Sequence, residues 1–260
     1  MFTGVLIFSF YTALFLFILY GVSRKPSFGI SFKEAALAFI VKIVVGCFYG
    51  YFFLHYYGGD DTWLYHNEAL QQFALLKKDP SHFFTNDIIP EGYKTNPLLT
   101  VFNTSGSYLK DLELTLLLKL LALFDLLSGG RYYVNVIFYD ALVFLGGYYL
   151  FATVSKKYPE KRKLWLLFIF YFPPLLFWTS GIRKDGLCFS IFCGLIYQLF
   201  SLLEVKVSIK RLLYLSCLFI ILFLIRNYVA LCFIPVIIGY VLSNQNKKNS
   251  LIFITVLVCC

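Results

Sequence analysis

Charged residues are scarce in this sequence. Only 14% of its 260 residues are Asp, Glu, Lys or Arg, whereas the charged share of an ordinary soluble protein is about a quarter. Hydrophobic residues make up 60% of the chain and aromatic residues 20%, and the mean hydropathy is +0.75. This composition excludes an ordinary water-soluble domain and indicates a polytopic membrane protein.

Linkers, repeats and metal-ligand patterns are also missing. The seven cysteines lie within apolar runs or at their margins without metal-ligand spacing, so we expect them to be packing residues. No Ser-, Gly- or Pro-rich linker divides the chain, and no segment repeats at a fixed period. We therefore expect one integral membrane domain over residues 1–260.

The net charge of +9 has a different meaning here from the one it has in a soluble protein. A strongly basic soluble chain favours a nucleic-acid partner, but most Lys and Arg residues of this chain lie in short clusters between apolar runs. This distribution is typical of membrane topology, so we expect no nucleic-acid partner. No basic residue precedes the first apolar run, which predicts a retained helix and not a cleaved signal peptide.

Continuous apolar runs predict an all-α fold, a polytopic transmembrane helix bundle of about seven or eight spans. The last run is too short to cross about 30 Å of hydrocarbon, so we expect the domain to be C-terminally incomplete. The runs lie at about 3–22, 35–56, 132–154, 164–181, 186–203, 212–226, 228–243 and 250–260.

Segment 112–130 decides the orientation of all later spans, because it is long enough to cross the membrane but carries Lys119 and Asp125. If it does not cross, 13 of the 23 basic residues fall in four short cytoplasmic loops, as the positive-inside rule favours. If it crosses, the densest basic cluster, SKKYPEKRK, moves to the outside. We therefore expect an extracytoplasmic loop over residues 57–131, with amphipathic or re-entrant helices, between the second and third spans.

An acidic pair marks the first candidate site, in the stretch HYYGGDDTWLYHNEALQQF at residues 55–73. Asp60 and Asp61 stand at the start of a predicted amphipathic helix, where an aspartate also serves as an ordinary N-cap. Two adjacent acids exceed what one cap requires, and helical spacing places Asp61 and Tyr65 on one polar face. A carboxylate there suits a general base or a divalent-cation ligand, and His66 suits either role.

A cationic turn marks the second candidate site, in SGIRKDG at residues 180–186. Arg183 and Lys184 suit a phosphate or diphosphate, since Arg offers planar bidentate hydrogen bonds and Lys a point charge. Asp185 begins the next predicted helix and could orient either cation. The alternative is a pair of cations that snorkel to the membrane interface, with an acid that neutralises one of them.

Arg226 marks a third position, in the tight turn IRNY between two apolar runs. An arginine at the edge of the hydrocarbon costs a few kcal/mol unless it finds water or an anion. In the expected topology Arg226 shares the outer face with Arg183 and Lys184, and would add a contact to the same anion. Snorkelling to lipid headgroups is the alternative.

Two more charged residues lie inside predicted spans. Lys42 is in the second span and Asp140 in the third. A charge inside the hydrocarbon snorkels, pairs or faces the bundle interior, so these two would be partners if their helices touch.

Together, the segments GGDDTWLYHNEA, FWTSGIRKDG and IRNY resemble polytopic bacterial membrane proteins related to the GT-C glycosyltransferases. That superfamily includes the dolichyl-phosphate-mannose mannosyltransferases, and O-antigen and exopolysaccharide polymerases are similar in layout. The resemblance covers roughly residues 35–243. The acid follows the second predicted helix here, whereas it follows the first in the superfamily. The resemblance implies Asp60 or Asp61 as the base and Arg183, Lys184 and Arg226 at the donor phosphate.

The main hypothesis of function follows from this resemblance. Such an enzyme would transfer a sugar from a polyprenyl-phosphate-linked donor to a cell-envelope glycan or lipid acceptor, with Tyr65, His66 and Asp185 also contacting substrate. Its place would be the bacterial inner membrane, with the site on the extracytoplasmic face, and a divalent cation at the acidic pair is the one cofactor suggested. The alternatives are a transporter or flippase of an anionic lipid-linked molecule and a non-catalytic membrane assembly subunit.

Overall fold

The computed structural model describes residues 2–24, 29–85, 108–204 and 208–245, and every regular element within these ranges is helical. The expectation of an all-α fold is thereby confirmed. The helices are α1 (Phe2–Ser23), α2 (Phe32–Tyr57), α3 (Asp61–Lys78), α4 (Pro80–Thr85), α5 (Tyr108–Ser128), α6 (Tyr132–Lys157), α7 (Arg162–Phe170), α8 (Pro173–Thr179), α9 (Lys184–Glu204), α10 (Ile209–Ile225) and α11 (Asn227–Gln245).

Among the described helices, three are long and apolar enough to cross a membrane, namely α1, α2 and α6. Their length and composition are those of a membrane-embedded protein. The larger number of spans, seven or eight, stays a prediction, and the run at 250–260 lies outside the described residues.

The chain divides into two compact units, residues 1–193 and 194–260. In the second unit α10 packs against α11, Leu222 and Phe233 are buried, and Arg211 donates a hydrogen bond to the Ser201 carbonyl (3.3 Å). The first unit contains α1 to α8 and the start of α9, together with most of the buried residues.

Helices α2 and α6 run antiparallel through the centre of the first unit. At one end, Glu34 on the first turn of α2 binds Arg162, which follows α6 (Oε2 to Nη2, 2.6 Å). Toward the other end, Gly50 of α2 meets Tyr132 at the start of α6, and a Cβ added at Gly50 would lie 2.6 Å from the Tyr132 hydroxyl. The absence of a side chain at Gly50 is therefore what lets the two helices approach so closely.

Helix α1 lies alongside both and runs in the opposite direction to α2. Tyr11, in its first half, donates a hydrogen bond to the Leu127 carbonyl at the end of α5 (3.1 Å). Tyr20, near its C-terminus, packs edge-on against Phe32 at the start of α2 (ring centres 5.2 Å apart). The three helices thus define two ends of the unit: an acidic end with residues 57–61 and 130–132, and a basic end with residues 29–34 and 156–163.

Helices α3, α4 and α5 connect α2 to α6, and this connection starts and finishes at the acidic end. The charged residues of α5 have partners inside the protein: Lys119 donates to the Phe83 carbonyl, and Asp125 accepts a hydrogen bond from Asn135 (2.6 Å). The extracytoplasmic position of 57–131 stays a prediction. Residues 86–107 of this connection lie outside the described ranges.

The predicted helix at 164–181 is interrupted, which corrects the expectation of one continuous span. Helix α7 ends at Phe170, and α8 begins at Pro173 with two prolines in its first turn. A proline has no N–H to continue the hydrogen bonding of the preceding helix, so the helix breaks at that point. With 9 residues in α7 and 7 in α8, neither helix alone crosses a hydrocarbon layer that requires about 20.

The antiparallel order of α1, α2 and α6 can be tested by labelling. We expect single cysteines introduced as Tyr57→Cys and Arg131→Cys, in a protein whose seven native cysteines are replaced, to react with an impermeant thiol reagent from one side of the membrane. Glu160→Cys should react only from the opposite side. Labelling of positions 57 and 160 from the same side would contradict the two-ended arrangement.

Candidate functional site

A sharp turn at the acidic end places the first candidate acid. Helix α2 ends at Tyr57, Gly58 caps it in the left-handed conformation (φ 70°), and Gly59 also has a positive φ of 113°. Only glycine adopts such angles without strain, so the two glycines let the chain fold back along α2 before α3 begins. This return brings Asp60 next to the last turns of α2.

Asp60 occupies the N-cap position of α3, but its side chain makes no capping hydrogen bond. Its Oδ2 instead accepts a hydrogen bond from the Tyr49 hydroxyl of α2 (3.0 Å). Helix capping, the ordinary explanation of an aspartate at this position, is therefore wrong for the Asp60 carboxylate. Asp61 lies exposed in the first turn of α3, where a negative charge suits the helix dipole.

Arg183 reaches the same tyrosine from the other candidate segment. Its Nη1 donates to the Tyr49 hydroxyl, and its Nη2 lies 3.2 Å from Oδ2 of Asp185. The guanidinium carbon lies 4.7 Å from the ring centre of Trp178, within range of a cation–π contact. The Tyr49 hydroxyl thus donates to Asp60 and accepts from Arg183, and it joins the two segments singled out in the sequence.

Lys184 has a different partner from its neighbour. Its Nζ lies 3.0 Å from Oε1 of Glu113 on α5, and both side chains are only 14% exposed. The ammonium group also lies 5.5 Å from the ring centre of Tyr65. Lys184, which was predicted to contact a phosphate, is therefore paired with Glu113. Tyr65, which was predicted to contact substrate, packs against this pair.

His66 is buried where α3 packs on α6. Its ring meets those of Trp63 and Tyr132 edge-on, with ring centres 5.9 and 5.4 Å apart. Trp63 stacks on Tyr132 (4.0 Å) and donates from Nε1 to the Gly50 carbonyl (2.8 Å), so its ring packs inside the protein. Burial lowers the pKa of His66 to about 4, which keeps the ring neutral near pH 7.

Arg226 belongs to the second unit. It ends α10, where its backbone N–H donates to the Leu222 carbonyl (2.8 Å) and its guanidinium carbon lies 5.9 Å from the ring centre of Tyr228. Its predicted role at the same anion as Arg183 stays a prediction.

Lys42 holds the backbone of the interrupted helix. From the middle of α2 its Nζ donates to the Thr179 carbonyl (2.9 Å) and lies within hydrogen-bond distance of the hydroxyls of Thr179 (3.1 Å) and Ser180 (3.3 Å). These acceptors lie where α8 ends. A helix that ends inside a membrane protein exposes carbonyl groups that need partners, and a lysine supplies up to three donors.

Asp140 holds the turn that follows α8. From α6 its Oδ1 accepts the Gly181 N–H (3.1 Å), and the same oxygen lies 4.0 Å from the Lys42 ammonium. The neighbouring Tyr139 hydroxyl donates to the Arg183 carbonyl. The Lys42–Asp140 pair that the sequence left open is therefore formed, and we call these two residues with Tyr139 the clamp. The clamp fixes the turn at residues 180–183, and the side chain of Arg183 extends from this turn.

Sequence reasoning missed Tyr49 and Glu113. Tyr49 is one of 20 tyrosines, and its position on the helix that precedes the acidic pair was the one available signal. Glu113 begins the segment whose membrane depth was ambiguous, so no partner was assigned to it.

The acidic pair does not form a recognisable metal site. Among the described residues no group of three or more His, Cys, Asp or Glu side chains is arranged to hold a metal ion. A divalent cation at Asp60 and Asp61 stays a prediction.

Comparison with known proteins leaves the family open. No protein-family model matches the chain, and neither a curated protein nor a solved structure is significantly similar to it. The resemblance to GT-C glycosyltransferases therefore rests on the residues alone.

The clamp leaves no room for a side chain at Gly46 of α2. A Cβ added there would meet Asp140 Oδ2 and would lie 2.8 Å from the Gly181 backbone nitrogen. We expect Gly46→Ala to lower the free energy of unfolding by about 1–3 kcal/mol, measured by thermal denaturation in detergent. Gly21→Ala on α1 is the control, because nothing lies within 4 Å of its added Cβ; equal effects of both changes would contradict the clamp.

The buried His66 predicts a pH dependence. The unfolded chain binds a proton at this residue below about pH 6.5, but the folded protein does so only below about pH 4. Stability is therefore complete above pH 6.5 and falls as the pH drops from 6.5 to 4, by about 2–3 kcal/mol in all. His66→Phe should remove this part of the pH dependence of the melting temperature, whereas His82→Gln, at an exposed histidine, should leave it. An unchanged profile in His66→Phe would contradict this account.

Proposed function

We propose that this protein is a GT-C-like membrane glycosyltransferase. It transfers a sugar from a polyprenyl-phosphate-linked donor to a cell-envelope glycan or lipid acceptor, at the extracytoplasmic face of a bacterial inner membrane. The observation that carries the proposal is the convergence of Asp60 and Arg183 on the Tyr49 hydroxyl. Sugar transfer from a lipid phosphate requires a base and a cation in one site.

Asp60 is the proposed base. Oδ2 accepts from Tyr49, and within the described part of the chain Oδ1 has no hydrogen-bond partner, so this oxygen faces the approaching hydroxyl of an acceptor. The carboxylate takes the proton of that hydroxyl as its oxygen attacks the anomeric carbon of the donor sugar. The bond from the sugar to the phosphate oxygen breaks, and the electron pair stays on the lipid phosphate.

Arg183 is the proposed contact to that phosphate. Its side chain is 15% exposed, whereas the carboxylate that pairs with it, Asp185, is 41% exposed. A phosphate oxygen displaces the exposed carboxylate of Asp185, because both groups accept charge-assisted hydrogen bonds from a guanidinium. Trp178 and Tyr49 keep the guanidinium in place during this exchange. Arg183 then stabilises the charge that develops on the leaving phosphate.

Lys184 and Glu113 support the site from α5. Their ion pair joins the start of α9 to α5, and Tyr65 of α3 packs on the ammonium group. In the proposed enzyme this pair keeps α3 and the cationic turn at a constant separation. His66, neutral and buried against Trp63 and Tyr132, orients α3 and so positions Asp60.

The adjacent aspartates provide a matched pair of variants for the transfer reaction. We expect Asp60→Asn to lower kcat by at least about a hundredfold with donor binding retained, because the amide cannot accept the proton. Asp61→Asn should stay within about threefold of the wild type, since its exposed side chain makes no contact with Tyr49. The measurement is sugar transfer in proteoliposomes that contain a panel of polyprenyl-phosphate-linked monosaccharides.

The thermal stability of both variants serves as the control for folding. If neither change lowers transfer in a protein that is active, Asp60 is not the base. If Asp61→Asn abolishes transfer and Asp60→Asn does not, the roles of the two acids are reversed.

One observation favours a second candidate, a carrier for an anionic lipid-linked molecule. A short helix whose end is held inside the bundle by buried charges, like the end of α8 with Lys42 and Asp140, is typical of transporters. A carrier moves its substrate across the bilayer without breaking a covalent bond. Translocation of a fluorescent polyprenyl phosphate in the same proteoliposomes, with no sugar transfer and no effect of Asp60→Asn, would favour the carrier.

A further inference from the structure

A cavity of about 330 Å³ lies between α1 and α6, beside α2 and α5, and it has no place in the proposed reaction. Every side chain that lines it is aliphatic or aromatic, and six of the twelve carry aromatic rings. Phe15 of α1 meets Phe138 of α6 edge-on across one wall (5.8 Å), and Phe39 of α2 meets Phe144 on another (5.5 Å). These ring contacts fix the walls, so the space is a built cavity.

The cavity opens toward the side of the bundle. Ile18 on α1 and Leu145 on α6 both line it, and they are 46% and 47% exposed. Both belong to helices that are long and apolar enough to cross a membrane. An opening between two such helices faces the hydrocarbon of the bilayer and not water.

The apolar lining of the cavity determines which kind of ligand fits it. An apolar cavity disfavours water, and one of about 150 Å³ is already large enough to bind a benzene ring. The present cavity has more than twice that volume and an apolar opening, so a flexible hydrocarbon chain fits it. A charged ligand would find no charged side chain along its walls.

The charges of the basic end indicate which lipid supplies the chain. Leu145 precedes Lys157 by twelve residues, about 18 Å along a helix, which is close to the half-thickness of about 15 Å of the hydrocarbon core. A lipid whose acyl chain lies in the cavity therefore has its headgroup near the cations at this end, and cations favour anionic headgroups. Those cations are Arg24, Lys156, Lys157, Lys161 and Lys163.

We infer that the α1–α6 cavity is a binding site for one acyl chain of an anionic phospholipid from the leaflet at the basic end. The lipid chain lies between α6 and α1, none of whose described residues is fully buried. This inference does not depend on the proposed transferase activity, because the cavity shares no residue with the Asp60–Tyr49–Arg183 site.

Native mass spectrometry can test this site. The full chain is placed in nanodiscs of equal parts phosphatidylglycerol and phosphatidylcholine with identical acyl chains. The lipid molecules that remain bound to the protein after its release from the nanodisc are then counted. We expect one retained phosphatidylglycerol, preferred over phosphatidylcholine by about fivefold for each cation engaged. Leu145→Trp, which fills the opening, should lower retention by at least about fivefold, and Ala141→Phe, which fills the interior, should do the same.

Val44→Trp is the matched control, because Val44 is 60% exposed on α2 and does not line the cavity. It should retain the lipid as the wild type does, and melting temperatures measured in parallel show that each variant folds. Equal retention in Leu145→Trp and Val44→Trp would overturn the inference. Equal retention of the two lipids would overturn its anionic part, and retention of added undecaprenyl phosphate in place of phosphatidylglycerol would overturn the assignment to an acyl chain.

Discussion

The buried pair of Lys42 and Asp140 is the interaction on which the first unit depends. A charge inside an apolar bundle is costly unless it is paired and hydrogen-bonded. Here each charge has a partner in the other and in the backbone at the end of α8: the lysine binds Thr179, and the aspartate binds the N–H of Gly181. The polar groups that the end of α8 exposes and the charges that the helices bury therefore satisfy one another. Removal of either partner leaves the other unpaired in a place that water does not reach.

The candidate site depends on this arrangement for its geometry. Arg183 follows directly on the clamped turn, and its own carbonyl is held by Tyr139. Its guanidinium therefore starts from a fixed point and meets Tyr49, which belongs to the same helix as Lys42. Asp60 and Arg183 lie more than a hundred residues apart in the chain, but both contact the Tyr49 hydroxyl. Each is attached to α2: Asp60 through the turn at Gly58 and Gly59, and Arg183 through the clamp. The site is rigid for the same reason that the bundle is.

The parts of this structure that could be predicted from the sequence are those with local causes. The apolar runs predicted α2 and α6, but the run at 164–181 was predicted as one helix, whereas it breaks before Pro173. The contact of Asp60 with Tyr49 was not predicted, because a capping aspartate and one turned toward a tyrosine have the same local sequence. Contacts such as Tyr49 with Arg183, or Lys184 with Glu113, depend on helix packing over long distances in the chain. No residue pattern within either segment encodes them.

The bend between α7 and α8 has a geometric cause besides proline. Arg162 is bound to Glu34 and the Thr179 backbone to Lys42, so both ends of this segment are attached to α2. The two attachment points on α2 are eight positions apart, about 12 Å, whereas Arg162 and Thr179 are seventeen positions apart, which is about 26 Å along a straight helix. The segment therefore has more length than the span it bridges. The break after Phe170 lets the longer segment fit between the two points on α2.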